Sequence, residues 1–429
     1  MTLSSPVRFA LQTTSAQRSS ALFRGHVKRS HCSTTTRGTT FVTPQSNFTV
    51  QIPIGGIVTF VPFELERWQS EWEHHVNHNL SESGVHPLKV NELLAMAGEP
   101  PDALEEIGLG YSQADGTQEL RSAIAGLYPG ATIDNVIVTV GSSEANFVSS
   151  WAIMEPGDHV AMLVPMYRQT WGLARSFGAE VAEFTLKQEL GWEPDPDEIK
   201  AAITPNTKLV VVTNPNNPTG HVLSRASREL IVELASKAGA WLLADEVYQG
   251  AERTGETTET FWGSYERVLV ANGLSKAYGL PGLRIGWLVC PPDFRQAAYA
   301  RHDYTVICPT PLSDFLARCA IGSRDKVLAR TRRILNENYP ILTDWLKEFG
   351  DGFAWKDPDC GAICFAGYKA GIDAMDLAER VRLAHSVLIQ PGDHFGFERY
   401  LRLGFGNEPA TFKAALEAME PTMKECLAT

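Results

Sequence analysis

The fold of this chain is decided by the stretch VLVANGLSKAYG, residues 268–279, in which an apolar run is followed at once by polar residues and a lysine. The apolar run predicts a buried strand, and Lys276 follows the point where that strand would end. Two earlier stretches repeat the pattern: LVVVT is followed by NPNNPTG at 214–220, and WLLA is followed by DEVY at 245–248. In an open parallel sheet, ligands bind at the carboxyl ends of the strands. The sequence therefore predicts a site assembled from three successive strand ends.

Working outward from these stretches, short apolar runs alternate with helical patterns over most of the chain. The predicted strands are 136–140, 159–164, 181–185, 209–213, 241–244, 268–271 and 285–289. Predicted helices lie between most of them, at 116–127, 143–153, 167–177, 196–202 and 227–238. This alternation is typical of an α/β fold whose mostly parallel seven-stranded sheet is covered on both faces.

The domain organisation follows from the same patterns. Helical patterns dominate residues 311–348, and the mixed strands and helices after residue 353 predict a smaller α+β domain. We expect a tail or transit peptide at 1–48, an N-terminal arm with part of the small domain at 49–98, a large domain at 99–322 and a C-terminal small domain at 323–429.

Composition narrows the function classes. The net charge of −12 and the sequence pI near 5.5 argue against a nucleic-acid partner or an acidic membrane surface, because both require concentrated Lys and Arg. The seven cysteines include no CxxC pair, and no closed set of metal ligands is visible, so we expect neither disulfides nor a metal.

The beginning of the chain differs from the rest. Residues 1–63 contain no Asp or Glu, and their basic residues are embedded in Ser and Thr, as in an organelle transit peptide. A disordered tail has the same composition. The expected location is therefore either the cytoplasm or the mitochondrion.

The ordered set Asn217, Asp245, Lys276 and Arg284 resembles the class I/II aminotransferases, the fold-type I enzymes that use pyridoxal 5'-phosphate (PLP). The resemblance covers roughly residues 80–405. Each residue alone could be structural, for example as a helix cap, but four motifs in this order indicate a shared site. The resemblance implies PLP as cofactor and amino acids with 2-oxo acids as substrates.

The chemistry of PLP requires a lysine for its aldehyde and a carboxylate beside its ring nitrogen. The resemblance assigns the Schiff base to Lys276 and the carboxylate to Asp245, which keeps the nitrogen protonated because opposite charges attract strongly in a buried site. Asn217 and Tyr248 are expected to donate to the phenolic oxygen of the cofactor. Lys276, once released by substrate, is placed to move the proton of the substrate α-carbon.

The cofactor phosphate is expected to bind where GSSEA, residues 141–145, begins a helix, because free N–H groups there favour an anion. The resemblance implies that Ser142, Ser143, Ser275 and Arg284 contact it. It also implies that Tyr111 reaches the phosphate of a neighbouring subunit, and hence a homodimer. A further aromatic residue, Tyr167, is expected to stack on the pyridine ring.

The substrate side of the site is predicted from three positions, and the resemblance implies that Asn217 is one of them. Arg402 matches the arginine that binds the substrate α-carboxylate, where a guanidinium can form two parallel hydrogen bonds. Gly84 matches a flexible glycine near the entrance.

Two departures from the family pattern stand out. Gly273 replaces the Ser or Thr usually found three positions before the lysine. The segment at the entrance to the site is LSESGVHPL, residues 80–88, in place of the Gly-x-Pro opening that is usual in the family. That segment resembles capreomycidine synthases. The sequence therefore favours a PLP-dependent aminotransferase acting on an L-amino acid and leaves open a lyase or cyclase acting on a β-substituted amino acid. A PLP-binding regulator or scaffold without catalysis is disfavoured, because the lysine and the aspartate are both present.

Overall fold

A computed structural model describes residues 60–427. In it the predicted apolar runs form strands of one large sheet, and further strands belong to two smaller sheets. The strands are β1 (His78–Asn79), β2 (Val136–Thr139), β3 (His159–Val164), β4 (Glu180–Lys187), β5 (Glu193–Pro194), β6 (Thr207–Thr213), β7 (Trp241–Asp245), β8 (Val268–Gly273), β9 (Gly286–Val289), β10 (Phe353–Ala354), β11 (Ile363–Tyr368), β12 (Val387–Leu388), β13 (Gln390–Pro391) and β14 (Tyr400–Gly404).

The α-helices cover the sheet and connect its strands. They are α1 (Glu64–Trp72), α2 (Val90–Ala97), α3 (Gln118–Ala125), α4 (Ser142–Ile153), α5 (Gln169–Ser176), α6 (Pro196–Ala202), α7 (Arg225–Ala238), α8 (Pro292–His302), α9 (Pro311–Gly322), α10 (Arg324–Lys347), α11 (Ala374–His385) and α12 (Pro409–Leu427).

The large sheet has the strand order β2-β9-β8-β7-β6-β3-β4-β5. Seven of these strands are the predicted ones, and the two-residue strand β5 adds an eighth at the edge. Strand β9 runs antiparallel to β2 and β8, β5 runs antiparallel to β4, and the other neighbouring pairs are parallel. The predicted α/β class with a mostly parallel sheet is confirmed.

Alternate residues of each strand enter two separate apolar cores. On β2, Ile137 packs with residues of α4, α5 and α8, whereas Val136 and Val138 face the core that contains residues of α3, α6 and α7. Both faces are therefore covered, as the continuous apolar runs require.

A second sheet lies in the C-terminal part of the chain, with the order β10-β11-β14-β13 and antiparallel pairing throughout. This sheet and its helices form the expected α+β part, and β1 pairs in parallel with β12. All described residues belong to one compact unit, so the boundaries at 48/49, 98/99 and 322/323 stay predictions. Residues 1–48 lie outside the described part. No helix within residues 60–427 combines the length and apolar character needed to cross a bilayer.

The entrance segment, residues 80–86, runs alongside β14 and the residues that follow it. The Gly404 N–H donates to the Leu80 carbonyl at 2.7 Å, and the His86 N–H donates to the Gly406 carbonyl at 2.6 Å. A Cβ at Gly404 would lie 2.1 Å from the Glu82 carbonyl oxygen, and one at Gly406 would lie 2.1 Å from the carbonyl oxygen of Gly84. The close approach therefore requires glycine at both positions.

Candidate active site

The predicted site residues meet at the carboxyl edge of the large sheet. Asp245 ends β7, Lys276 follows β8, and Asn217 follows β6, while Ser142 begins α4 just after β2. Parallel strands bring these ends together, as expected from the sequence.

Lys276 lies in a groove beneath the entrance segment, with Ser83, Gly84 and Tyr248 among its neighbours. Its Nζ donates to Glu82 Oε1 at 2.7 Å, and the lysine side chain is 25 % exposed. Burial alone would lower the pKa of the Lys276 amine, but the adjacent Glu82 carboxylate outweighs it and the pKa is raised.

Glu82 is a site residue that the sequence did not predict. Its Oε1 also accepts from the backbone N–H groups of Ser83 at 2.8 Å and Gly84 at 2.9 Å. Burial alone would raise the pKa of the Glu82 carboxyl, but Lys276 and these donors lower it to about 2. A glutamate in a polar segment has no periodic signal, and only the unusual entrance sequence marked this stretch.

Asp245 is buried at the end of β7 and has two fixed donors. Asn146 Nδ2 donates to Oδ2 at 2.8 Å, and the Val247 N–H donates to Oδ1 at 3.2 Å. Burial raises the pKa of the Asp245 carboxyl despite these donors. Asn146 was also missed, although it lies four residues after Ser142 on α4 and so on the same helix face.

Arg402 is buried on β14, where its exposed fraction is 1 %. Its Nη1 donates to Asn217 Oδ1 at 2.8 Å, and its Nη2 donates to the Ser81 carbonyl. Within the described residues its buried Nε has no hydrogen-bond acceptor. Burial lowers the pKa of this guanidinium, and a buried cation of this kind favours an anionic ligand.

Two of the three predicted tyrosines of the site are held by hydroxyl contacts. The Tyr248 hydroxyl donates to Ser83 Oγ at 2.9 Å, beside Lys276. The Tyr167 hydroxyl donates to Glu66 Oε1 at 2.6 Å, which ties the tyrosine to α1. Burial, together with the Glu66 carboxylate, raises the pKa of the Tyr167 hydroxyl well above its usual value, so this hydroxyl keeps its proton.

The predicted phosphate cradle is made by close backbone packing at the start of α4. Gly141 has a φ of +78°, and a Cβ there would lie 2.5 Å from Arg284 Nη2. A Cβ at Gly286 would lie 2.3 Å from the carbonyl carbon of Gly141. One at Gly273 would lie 3.0 Å from the Cα of Gly286, which gives a steric reason for the departure at this position.

Arg284 extends across the cradle from a left-handed backbone conformation, with a φ of +52°. Its Nη1 donates to the Pro281 carbonyl at 3.1 Å and lies 3.5 Å from Ser275 Oγ, while its Nη2 donates to the Val140 carbonyl at 3.4 Å. The structure therefore brings Arg284 and Ser275 to the start of α4, near Ser142.

Two further predicted residues occupy contrasting places. Gly84 lies against the lysine, since a Cβ there would be 3.5 Å from Lys276 Cδ and 3.3 Å from the Ser275 carbonyl oxygen. Tyr111 is 88 % exposed on a segment where Leu109 is also exposed. Its predicted contact with a second subunit stays a prediction.

These residues fit PLP. The glycine cradle leaves backbone N–H groups of α4 free for a phosphate, and the buried Asp245 has a raised pKa that a neighbouring cation would lower. Lys276 supplies an amine on a side chain that is 25 % exposed. The predicted roles of Ser143 and the other cofactor contacts stay predictions.

Comparisons with known proteins agree with the assignment of PLP as the cofactor. The family model described as aminotransferase class I and II matches residues 87–419. Capreomycidine synthase of Streptomyces vinaceus is 31% identical over 343 residues, which cover 80% of this chain and 88% of that protein. A PLP-dependent aminotransferase structure from Streptococcus suis 89-1591 has a TM-score of 0.81 at 31% identity, covering 86% of this chain and 99% of that one.

A second solved structure, that of the PLP-dependent cyclase OrfR, has a TM-score of 0.79 at 28% identity and covers 85% of this chain and 97% of its own. The two structures share the fold seen here, although one protein is named an aminotransferase and the other a cyclase. By its sequence and its fold, this chain belongs to the class I and II aminotransferases, PLP-dependent enzymes of fold type I.

Proposed function

We propose that this chain transfers the amino group of an L-amino acid to a 2-oxo acid, with Lys276 as the residue that binds PLP covalently. One observation supports this most directly: an amine from Lys276 and a buried carboxyl from Asp245, at the edge of the large sheet, lie near the buried guanidinium of Arg402 on β14. These are the groups that hold the aldehyde, the ring nitrogen and a substrate carboxylate.

When bound, PLP withdraws electrons from the substrate α-carbon. The residues of the chain bind and orient the substrate and move the protons. Arg402 binds the substrate carboxylate and fixes its orientation, and the Asn217 contact holds the guanidinium in place. Asp245 keeps a proton on the ring nitrogen, and Lys276 Nζ carries a proton to and from the α-carbon.

The experiment is a single-turnover assay combined with borohydride trapping. Reduction is expected to leave the cofactor on the peptide that contains Lys276, and the wild type is expected to convert an amino donor to its 2-oxo acid. Lys276→Ala should lose both the adduct and turnover, whereas Lys413→Ala, at an exposed position, should keep both. Trapping on a different lysine would overturn the assignment.

A second function, elimination or cyclisation of a β-substituted amino acid, is favoured by the entrance segment and by two relatives named capreomycidine synthase and cyclase. The two reactions differ when no 2-oxo acid is added. Transamination then stops after one product per site, because the cofactor keeps the amino group. Elimination regenerates the aldehyde and continues to turn over.

We also propose a homodimer in which Tyr111 contacts the phosphate in the partner's site. Its support is the exposure of Tyr111 and Leu109, two apolar side chains on one segment of the isolated chain. Their burial against a second chain would remove this apolar surface from water.

A further inference from the structure

The side chain of Glu82 occupies a fixed position beside Lys276. The entrance segment that carries it is hydrogen-bonded on both sides of Glu82, through the Leu80 carbonyl and the His86 N–H. The glycine at 404 lets its backbone approach the Glu82 carbonyl. Glu82 is therefore held by main-chain contacts along its segment.

The Glu82 carboxylate stays ionised for reasons that do not all depend on the lysine. Two backbone N–H groups, those of Ser83 and Gly84, donate to Oε1 in addition to Lys276. The side chain is also 41 % exposed, so water reaches the carboxylate. Hydrogen bonds to a carboxylate favour its charged form.

Other charged or titratable groups face Lys276 from the neighbouring elements. Asp245 and Tyr248 come from the end of β7 and its following turn, Arg402 comes from β14, and Glu82 comes from the entrance segment. Within the described residues, the hydrogen-bond partner of Lys276 Nζ is Glu82. Asp245 accepts hydrogen bonds from Asn146 and the Val247 N–H, and Arg402 is a cation that disfavours a second positive charge.

We propose that Glu82 is the counter-ion of the Lys276 nitrogen and keeps that nitrogen protonated when it is joined to the cofactor aldehyde as a Schiff base. The proposal rests on the proposed function, since it assumes that PLP binds at Lys276. A protonated Schiff base carries a positive charge on nitrogen, and an opposite charge within about 4–6 Å stabilises such a cation. A cationic Schiff base is also the form that an incoming substrate amine attacks more readily.

The test uses the full chain loaded with PLP and follows the absorbance of the bound cofactor with pH, which distinguishes the protonated from the neutral Schiff base without any turnover. Glu82→Gln keeps the size of the side chain and an oxygen for both backbone donors while it removes the charge. We expect the midpoint of the titration to fall by about 1–3 pH units in this variant. The neutral form then accumulates at a lower pH than in the parent protein.

The matched control is Glu408→Gln, which removes the same charge close to the other end of the entrance segment, where Glu408 lies 3.9 Å from His86. This variant is expected to keep the parental midpoint, because Glu408 is not among the charged groups that face Lys276. Circular dichroism of both variants checks that the fold is kept. Glu82→Asp retains the charge, so its titration midpoint should lie closer to that of the parent than the midpoint of Glu82→Gln does.

The outcomes separate the two proposals. A midpoint in Glu82→Gln equal to that of the parent or of Glu408→Gln overturns the role of Glu82 and leaves the function standing. Wild-type protein that binds PLP but forms no Schiff base at Lys276 overturns both. A downward shift confined to Glu82→Gln supports the counter-ion.

Discussion

At the scale of single residues, the surroundings of two carboxyl groups in the site shift their pKa values in opposite directions. Glu82 lies beside an ammonium and has a pKa lowered to about 2, whereas Asp245 has amide donors and a pKa that burial raises. A raised carboxyl pKa means that the folded protein without cofactor holds this proton more tightly than the unfolded chain does. Ionised Asp245 therefore destabilises the cofactor-free fold and is stabilised when a cation binds beside it.

This difference predicts a pH-dependent effect of Asp245→Asn. Without cofactor, the free energy of unfolding of the parent should decrease as pH rises from the ordinary Asp pKa through the raised one, because the unfolded chain releases the proton first. The variant lacks this loss and should be the more stable protein at alkaline pH, with the difference shrinking in acid. Urea unfolding of both cofactor-free proteins at several pH values measures it.

The same substitution should weaken the loaded protein. Hydrogen bonds to charged groups contribute roughly 1.5–3 kcal/mol, so PLP affinity should fall by at least about tenfold. An Asn variant that binds PLP as tightly as the parent would contradict the role of Asp245 at the ring nitrogen.

The residues that the sequence predicted and those it missed differ in a physical way. Lys276, Asp245 and Asn217 follow apolar strands, so their places at the sheet edge could be inferred from one-dimensional order. Glu82 comes from a segment with no strand of its own, and its place depends on pairing with β14, more than 300 residues later in the chain. Contacts of such separation leave no local pattern.

At the scale of secondary structure, the phosphate cradle depends on how closely β9 approaches the start of α4. Every predicted strand of the large sheet is present in the structure, because each corresponds to an apolar run long enough to predict a buried strand. The reversed direction of β9 could not be predicted, because the alternation of apolar residues is the same in both directions. That reversal places Gly286 opposite Thr139, directly under the turn into α4.

Gly286→Ala is therefore expected to damage the cradle. The added Cβ would lie 2.3 Å from the Gly141 carbonyl carbon and 2.4 Å from the Ser142 nitrogen, so the backbone must shift. Overpacking of this kind costs about 1–3 kcal/mol, and we expect lower thermal stability together with at least about tenfold weaker PLP binding. Gly282→Ala is the control, since a Cβ at Gly282 meets nothing within 4 Å. Equal PLP affinity in the two variants would show that the cradle does not hold the phosphate.

At the scale of the whole molecule, the proposed dimer makes each site depend on two chains. The isolated chain leaves Tyr111 exposed, while Arg284, Ser275 and the start of α4 converge without it. If Tyr111 completes the partner's phosphate site, Tyr111→Phe should weaken PLP binding by roughly tenfold or more, the effect of one hydrogen bond to a charged group.

Mixed dimers test where that hydroxyl acts. One chain carries Lys276→Ala with Tyr111 intact, and the other carries Tyr111→Phe with Lys276 intact, so each mixed dimer has one lysine and one Tyr111 hydroxyl. If the hydroxyl crosses between subunits, the surviving lysine receives it from the other chain, and its site binds PLP with parental affinity. If the hydroxyl serves its own chain, that site lacks it and binds as weakly as Tyr111→Phe. Affinity-tagged mixed dimers titrated with PLP distinguish the two cases, because parental affinity can arise only from a shared site.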